Sequence, residues 1–172
     1  MKKLCFVFCF LSTLCFSKTY DLKTGGLNKV EWTAIGNPGF LRINATGGQV
    51  EGKAEVKDGK LSGTFKVKLD DFDTGMGLRN RHMKEKYLET SKYPYAVLKM
   101  NGVAVKAGEF PFTATLKIKD ETKLISGKAV LKGENLTAEF TVNIEDYPSV
   151  GVPSWLGVTM ASQVEVTVKV KL

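Results

Sequence analysis

The sequence predicts an all-β protein, an antiparallel β-barrel of about eight strands with one short helix near residues 78–88. Three observations carry this reading. Apolar residues recur with a period of two in five separate runs, short turn signals separate those runs, and the one stretch that breaks the period has helical spacing.

Taken in order, the chain of 172 residues starts with Lys2 and Lys3, an apolar run from Leu4 to Phe16, and the small residue Ser17. That is the layout of a secretory signal peptide cut before Lys18, with Cys15 and Ser17 acceptable next to the cut. The apolar run is shorter than the roughly 20 residues that a membrane-spanning helix needs, so no stable membrane insertion is expected after cleavage. Residues 18–172 then form a single domain, periplasmic or secreted. Cys5, Cys9 and Cys15 all fall in the leader, which leaves the mature chain without a thiol for disulfides, nucleophilic catalysis or metal binding. Leu14 is too large for the position before a lipidated cysteine, which argues against Cys15 as an anchor.

Charge excludes little and implies little. Of 25 Lys and Arg, loss of Lys2 and Lys3 leaves 23 against 18 Asp and Glu. The lysines alternate along extended segments such as "GTFKVKL" and "EVTVKVKL", the pattern of a solvated outer face rather than of a nucleic-acid stripe. No nucleic-acid partner is expected, although a mild attraction to anionic lipid head groups is compatible with this charge.

The first clear strand places Val50, Gly52, Ala54 and Val56 on one face. Leu61, Gly63, Phe65, Val67 and Leu69 follow, then Phe110, Phe112, Ala114, Leu116 and Ile118. Leu136, Ala138, Phe140, Val142 and Ile144 form the fourth run, and Val164, Val166, Val168, Val170 and Leu172 the last. Weaker strands are predicted around 40–44, 95–102 and 125–131. "KDGK", "KAGE", "KDET" and "KGEN" supply the turns that join neighbours as antiparallel hairpins.

The inner face mixes large aromatic residues with Gly52, Ala54, Gly63, Ala114, Gly127, Ala129 and Ala138. Small side chains on several strands can leave a hollow for a ligand, or they can merely fit the taper of a filled barrel. Both readings stay open at this point, with the hollow one favoured.

From Leu78 to Leu88 the alternation stops. Arg81 and Glu85 form an attractive i,i+4 pair and Met83 and Tyr87 an apolar one, while Pro94 ends the region by forcing Tyr93 out of the helical conformation. With a single histidine, His82, and no nucleophile motif, the mature chain reads as a binding protein rather than an enzyme. "DDFDTG" at 70–75 lacks the glutamate that closes a calcium loop, so no metal or cofactor is expected.

The run "LDDFDTGMGLRNRHMKEKYLETSKYPYAVLKM", residues 69–100, resembles the signature of the YceI-like family of exported bacterial proteins. Arg79, His82 and Met83 fall on the arginine, histidine and leucine of an R-D-x-H-L stretch, and Lys92, Tyr93 and Pro94 on its K-Y-P ending. Asn80 stands where the pattern has an aspartate. The tail "DYPSVGVPSWLGVTMASQVEVTVKV" is similar to the family's closing loop and strand. The resemblance implies a lipocalin-like barrel that holds an isoprenoid or other amphiphile.

On that basis Arg79, Arg81 and His82 are candidates for a polar rim that receives a ligand's head group, since a guanidinium can bond two oxygens of a phosphate or carboxylate at once. The alternative is that Arg79 and His82 only tie the helix down, to backbone or to Asp70, Asp71 and Asp73. Candidate cavity residues are Phe65, Val67, Leu69, Leu98, Met100, Phe110, Phe112, Leu116, Phe140, Val142 and Trp155. The competing functional reading is a filled barrel that binds a protein partner, with Tyr147 and Trp155 as anchors. The last strand would also permit a homodimer if it lay at an open edge.

Overall fold

The structure, a computed structural model, describes residues 17–22, 28–37, 39, 41–155 and 158–172, without the side chains of Asn37, Trp155 and Val158. The leader read at residues 1–17 therefore lies outside the described residues, except for Ser17, the first residue of a strand.

Eight strands close the barrel: β2 (Lys29–Asn37), β3 (Arg42–Lys57), β4 (Lys60–Lys68), β5 (Tyr95–Ala104), β6 (Gly108–Ile118), β7 (Glu121–Lys132), β8 (Asn135–Asn143) and β10 (Val158–Lys171). Each pairs antiparallel with the next, and β10 pairs with both β8 and β2, which closes the ring. Two strands lie off the ring. β1 (Ser17–Leu22) pairs with the second half of β3, and β9 (Ser154–Trp155) pairs with the start of β10.

The predicted number of barrel strands is reached by a different route. The segments expected at 40–44 and 50–56 are one strand of 16 residues, β3, so its two halves count once. The eighth place goes to β2, where Val30, Trp32 and Ala34 face inward against Lys29, Glu31 and Thr33. Neither β1 nor β2 is among the strands read from the sequence.

β3 can be so long because it bends at Gly47 and Gly48, which have φ of 121° and 57°. At Gly47 an added Cβ would run into the Asp71 carbonyl, and at Gly48 it would sit 2.6 Å from the Phe72 ring. These two glycines let the segment after β4 fold down on the barrel, where Thr46 and Asp73 exchange backbone hydrogen bonds of 3.0 and 2.9 Å. Only glycine permits that approach, because a side chain would occupy the same space.

The non-alternating segment is the predicted helix in altered form. α1 (Gly77–Arg81) is followed by wider π-type turns over His82–Tyr87, in which Leu88 N–H reaches back five residues to Met83 O at 2.9 Å. Met83 is buried and pins this segment to the barrel.

Of the seven small inward residues named from the sequence, Ala138 alone lines the hollow. A Cβ at Gly63 would lie 2.8 Å from the Lys53 carbonyl, and at Gly127 it would collide with Glu139 O and the Phe112 and Phe140 side chains. Gly52, Ala54, Ala114 and Ala129 belong to the same close-packed region, with Phe110 and Phe112 both 3% exposed. Small side chains here bring strands and rings together, which is the taper reading and not the room-for-ligand reading. The barrel is nevertheless hollow, but in its other half. Finally, both edges of β10 are paired, so the open edge on which a homodimer was premised is not there.

Candidate functional site

One large cavity of about 720 Å³ opens at the end of the barrel that carries α1. Its wall is built from the inward positions of the strands: Val30 and Trp32 from β2, Ile43 and Val50 from β3, Phe65 and Val67 from β4, Leu98 and Met100 from β5, Phe140 and Val142 from β8, and Val164, Val166 and Val168 from β10. Leu116 of β6 and Leu69 complete this part of the wall, and Phe72 meets Trp32 edge to face at 6.3 Å. Several of these side chains point inward yet are only half-buried, among them Trp32, Val67, Leu98, Phe140 and Val166. Inward apolar residues stay accessible only where nothing packs against them, so the cavity has an interior surface without a protein partner.

Of the residues predicted from the sequence, Phe65, Val67, Leu69, Leu98, Met100, Leu116, Phe140 and Val142 are on this wall. Phe110 and Phe112 are buried in the close-packed half, and Phe112 meets Phe140 edge to face at 6.1 Å. Trp155 is in β9, and its side chain lies outside the described residues. Sequence reasoning missed the β2 residues, Phe72, Met76 and Leu78. The period of two in β2 was the available signal for the first of these.

The mouth is closed on one side by α1 and on the other by the loop from Ile144 to Ser154. Arg79 and His82 both line it, whereas Arg81 is exposed on the outside of the helix. Among the described residues neither Arg79 nor Arg81 has a carboxylate partner. The Arg79 Nη2 has only the Met76 sulfur at 3.8 Å.

The acids nearby are engaged by other groups, Asp73 by Asn80. The Asn80 Oδ1 accepts from Thr74 N at 2.8 Å and Thr74 Oγ1 at 2.7 Å, and its Nδ2 donates to Asp73 Oδ1 at 2.7 Å. The Asn80 amide, then the Gly75 N–H at 2.8 Å, hold the Asp73 carboxyl below its ordinary value of 3.8. Asp70 accepts from Thr90 Oγ1 at 3.0 Å and Asp71 pairs with Lys68 at 3.3 Å.

Both sides of the mouth hang on the β6–β7 turn. Lys119, in that turn with φ of 52°, is 5% exposed at its side chain. Its Nζ donates to Ser149 O at 2.6 Å and Tyr87 O at 3.3 Å, and pairs with Glu89 at 2.6 Å. Tyr147, 1% exposed, donates to Leu116 O at 3.1 Å, and burial pushes its phenol up to about 12. Glu121 accepts from Ser149 N at 3.0 Å and from the Ser149 hydroxyl, while the Tyr93 hydroxyl bonds Asp120.

Together these features define an antiparallel eight-stranded barrel with an apolar cavity open at one end. The YceI-like domain profile matches residues 28–172, and the chain belongs to the YceI-like family. No curated protein sequence matches it. Solved structures with the same fold include a polyisoprenoid binding domain from Saccharophagus degradans implicated in plant cell wall breakdown, at 14% identity and TM-score 0.62, covering 87% of this chain and 94% of that one. BcnA of Burkholderia cenocepacia is similar at 17% identity and TM-score 0.66, over 83% of this chain and 94% of that one. The YceI protein of Campylobacter jejuni is similar at 14% identity and TM-score 0.55, over 77% and 88%.

Proposed function

We propose that this protein sequesters or carries an amphiphile with a long apolar chain, isoprenoid or fatty-acid-like, inside the barrel. One observation carries the reading: an apolar cavity whose inward side chains remain half-exposed because no protein group fills it. Its 720 Å³ has room for about 24 chain atoms, taking roughly 30 Å³ for each as for a water molecule. Fifteen buried methylenes would contribute about 12 kcal/mol before the costs of association are subtracted. The polyisoprenoid that gives the Saccharophagus degradans binding domain its name is of this chemistry.

Arg79 and His82 are the head-group side of the proposal. Both line the mouth, and Arg79 has no acid to neutralise it among the described residues, so its guanidinium is available to a phosphate or carboxylate. Arg81, on the outer face, is a poorer candidate for that contact. The described part of the wall supplies no arrangement of nucleophile and base, which favours binding over catalysis. Export to the periplasm or beyond rests on the residue 1–17 pattern alone.

Native mass spectrometry after gentle purification, followed by solvent extraction, tests the reading. It predicts a bound amphiphile of defined mass, and geranylgeranyl diphosphate should lose more affinity on Arg79→Ala than geranylgeraniol does. An apo mass and failure of both probes to bind would reject it in favour of a partner-binding barrel.

A further inference from the structure

We propose that the α1 end of the barrel docks on anionic bilayer surfaces, with Met76 and Leu78 entering the interface and Arg81 engaging lipid phosphates. Met76 and Leu78 are 50% and 41% exposed, yet both also line the cavity. Most apolar residues of the wall point inward; these two sit where the wall meets solvent. Two large apolar side chains, two residues apart in the chain and both exposed at the rim of an apolar opening, suit a partner that is itself apolar.

Charge decides which partner. Leu78 and Arg81 are three residues apart on α1 and so share a face, and Met76 lies next to Arg79. Arg81 is exposed and has no carboxylate partner among the described residues. The turns that follow add Lys84 and Lys86 against Glu85 and Glu89, and Lys119 already neutralises Glu89. Lys84 is 3.9 Å from Asp70, a long contact. An apolar tip beside two arginines, Arg79 and Arg81, that have no carboxylate partner among the described residues matches the boundary between acyl chains and anionic head groups.

The inference rests on the carrier reading in one respect. A chain that leaves this cavity through water would expose every methylene, whereas a mouth seated on a bilayer passes the chain from one apolar phase to another. Docking itself is separable from cargo and is measured separately.

The experiment is co-flotation of the protein with vesicles of phosphatidylglycerol mixed with phosphatidylcholine, and with phosphatidylcholine alone. The wild type should float with the first and not the second. The double variant Met76→Asp/Leu78→Asp and the single variant Arg81→Glu should each lose about tenfold in partitioning. Lys60→Glu, at the β3–β4 turn on the opposite end of the barrel, should lose little. The wild type, Arg81→Glu and Lys60→Glu, none of which alters the apolar wall, should still bind geranylgeraniol in solution. No flotation of the wild type, or equal losses for Lys60→Glu and Arg81→Glu, would overturn a docking face at α1. Flotation as expected with no geranylgeraniol bound by any variant would support docking and overturn the carrier reading instead.

Discussion

Asn80 donates its side-chain amide to the Asp73 carboxylate at 2.7 Å, at the position where the family pattern has an acid. An aspartate there would face Asp73 with a second negative charge and lose the donor. Asn80→Asp should therefore lower the melting temperature at neutral pH. Repulsion raises the proton affinity of the carboxyl pair above that of the unfolded chain, so the deficit should shrink as pH falls toward about 4. In the wild type the sign is opposite. Asp73, depressed below 3.8 by Asn80, contributes stability that is present at neutral pH and lost as pH falls below 3.8 and through its folded value. Thermal denaturation of both proteins across that range checks the prediction.

Lys119 joins the two sides of the mouth, so its removal should loosen both together. Lys119→Met keeps the length of the side chain and leaves the Ser149 and Tyr87 carbonyls short of a donor, at a cost of about 2–3 kcal/mol. Hydrogen exchange should rise in residues 83–93 and 144–151 alike, with β3 and β4 unchanged. A rise in only one of the two segments would show that they are not coupled through Lys119.

Gly127 separates the packed half of the barrel from the hollow half. Gly127→Ala forces a Cβ into the Glu139 carbonyl and the Phe112–Phe140 contact, and overpacking of this kind costs about 2–3 kcal/mol. Urea unfolding should show the loss. The same added methyl at a position facing the cavity has free space to enter.

The Tyr147 phenol is buried and raised to about 12. The folded state therefore favours the protonated form, and the stability this confers is complete below the ordinary value of 10 and is lost as pH rises through about 12. In a difference absorbance titration of wild type against Tyr147→Phe, the phenolate contributed by Tyr147 should appear only near about pH 12, or when the protein unfolds.

The strands with long, strict alternation were legible because a period of two survives without any knowledge of neighbours. β4, β6, β8 and β10 are examples. β3 reads as two pieces because its inward face passes from odd-numbered Ile43 and Ala45 to even-numbered Val50 across Gly47 and Gly48, and only the descent of Asp71 and Phe72 on to them shows why the strand continues through. β1 is short and polar except for Tyr20 and Leu22, and its place is decided by pairing with β3. Arg79 and His82 were legible as residues of interest from the motif. That Asn80 engages Asp73, and that Arg79 has no acid partner among the described residues, depends on the folded arrangement of residues far from any repeating pattern. The hollow was expected for the wrong reason: Gly52, Gly63, Gly127, Ala54, Ala114 and Ala129 mark where rings and backbones meet, while mainly valines, leucines and Phe140 line the open space.

The proposed carrier function requires an apolar chain in the half of the barrel lined by Trp32 and Val166. Trp32 fluorescence in a Trp155→Phe background, titrated with a fatty acid brominated along its chain, reports that contact directly. Occupancy of this half predicts saturable quenching that Val166→Phe weakens by narrowing the cavity beside Trp32 while the melting temperature is held. Absence of quenching in the parent protein, or quenching that Val166→Phe leaves unchanged, would contradict it.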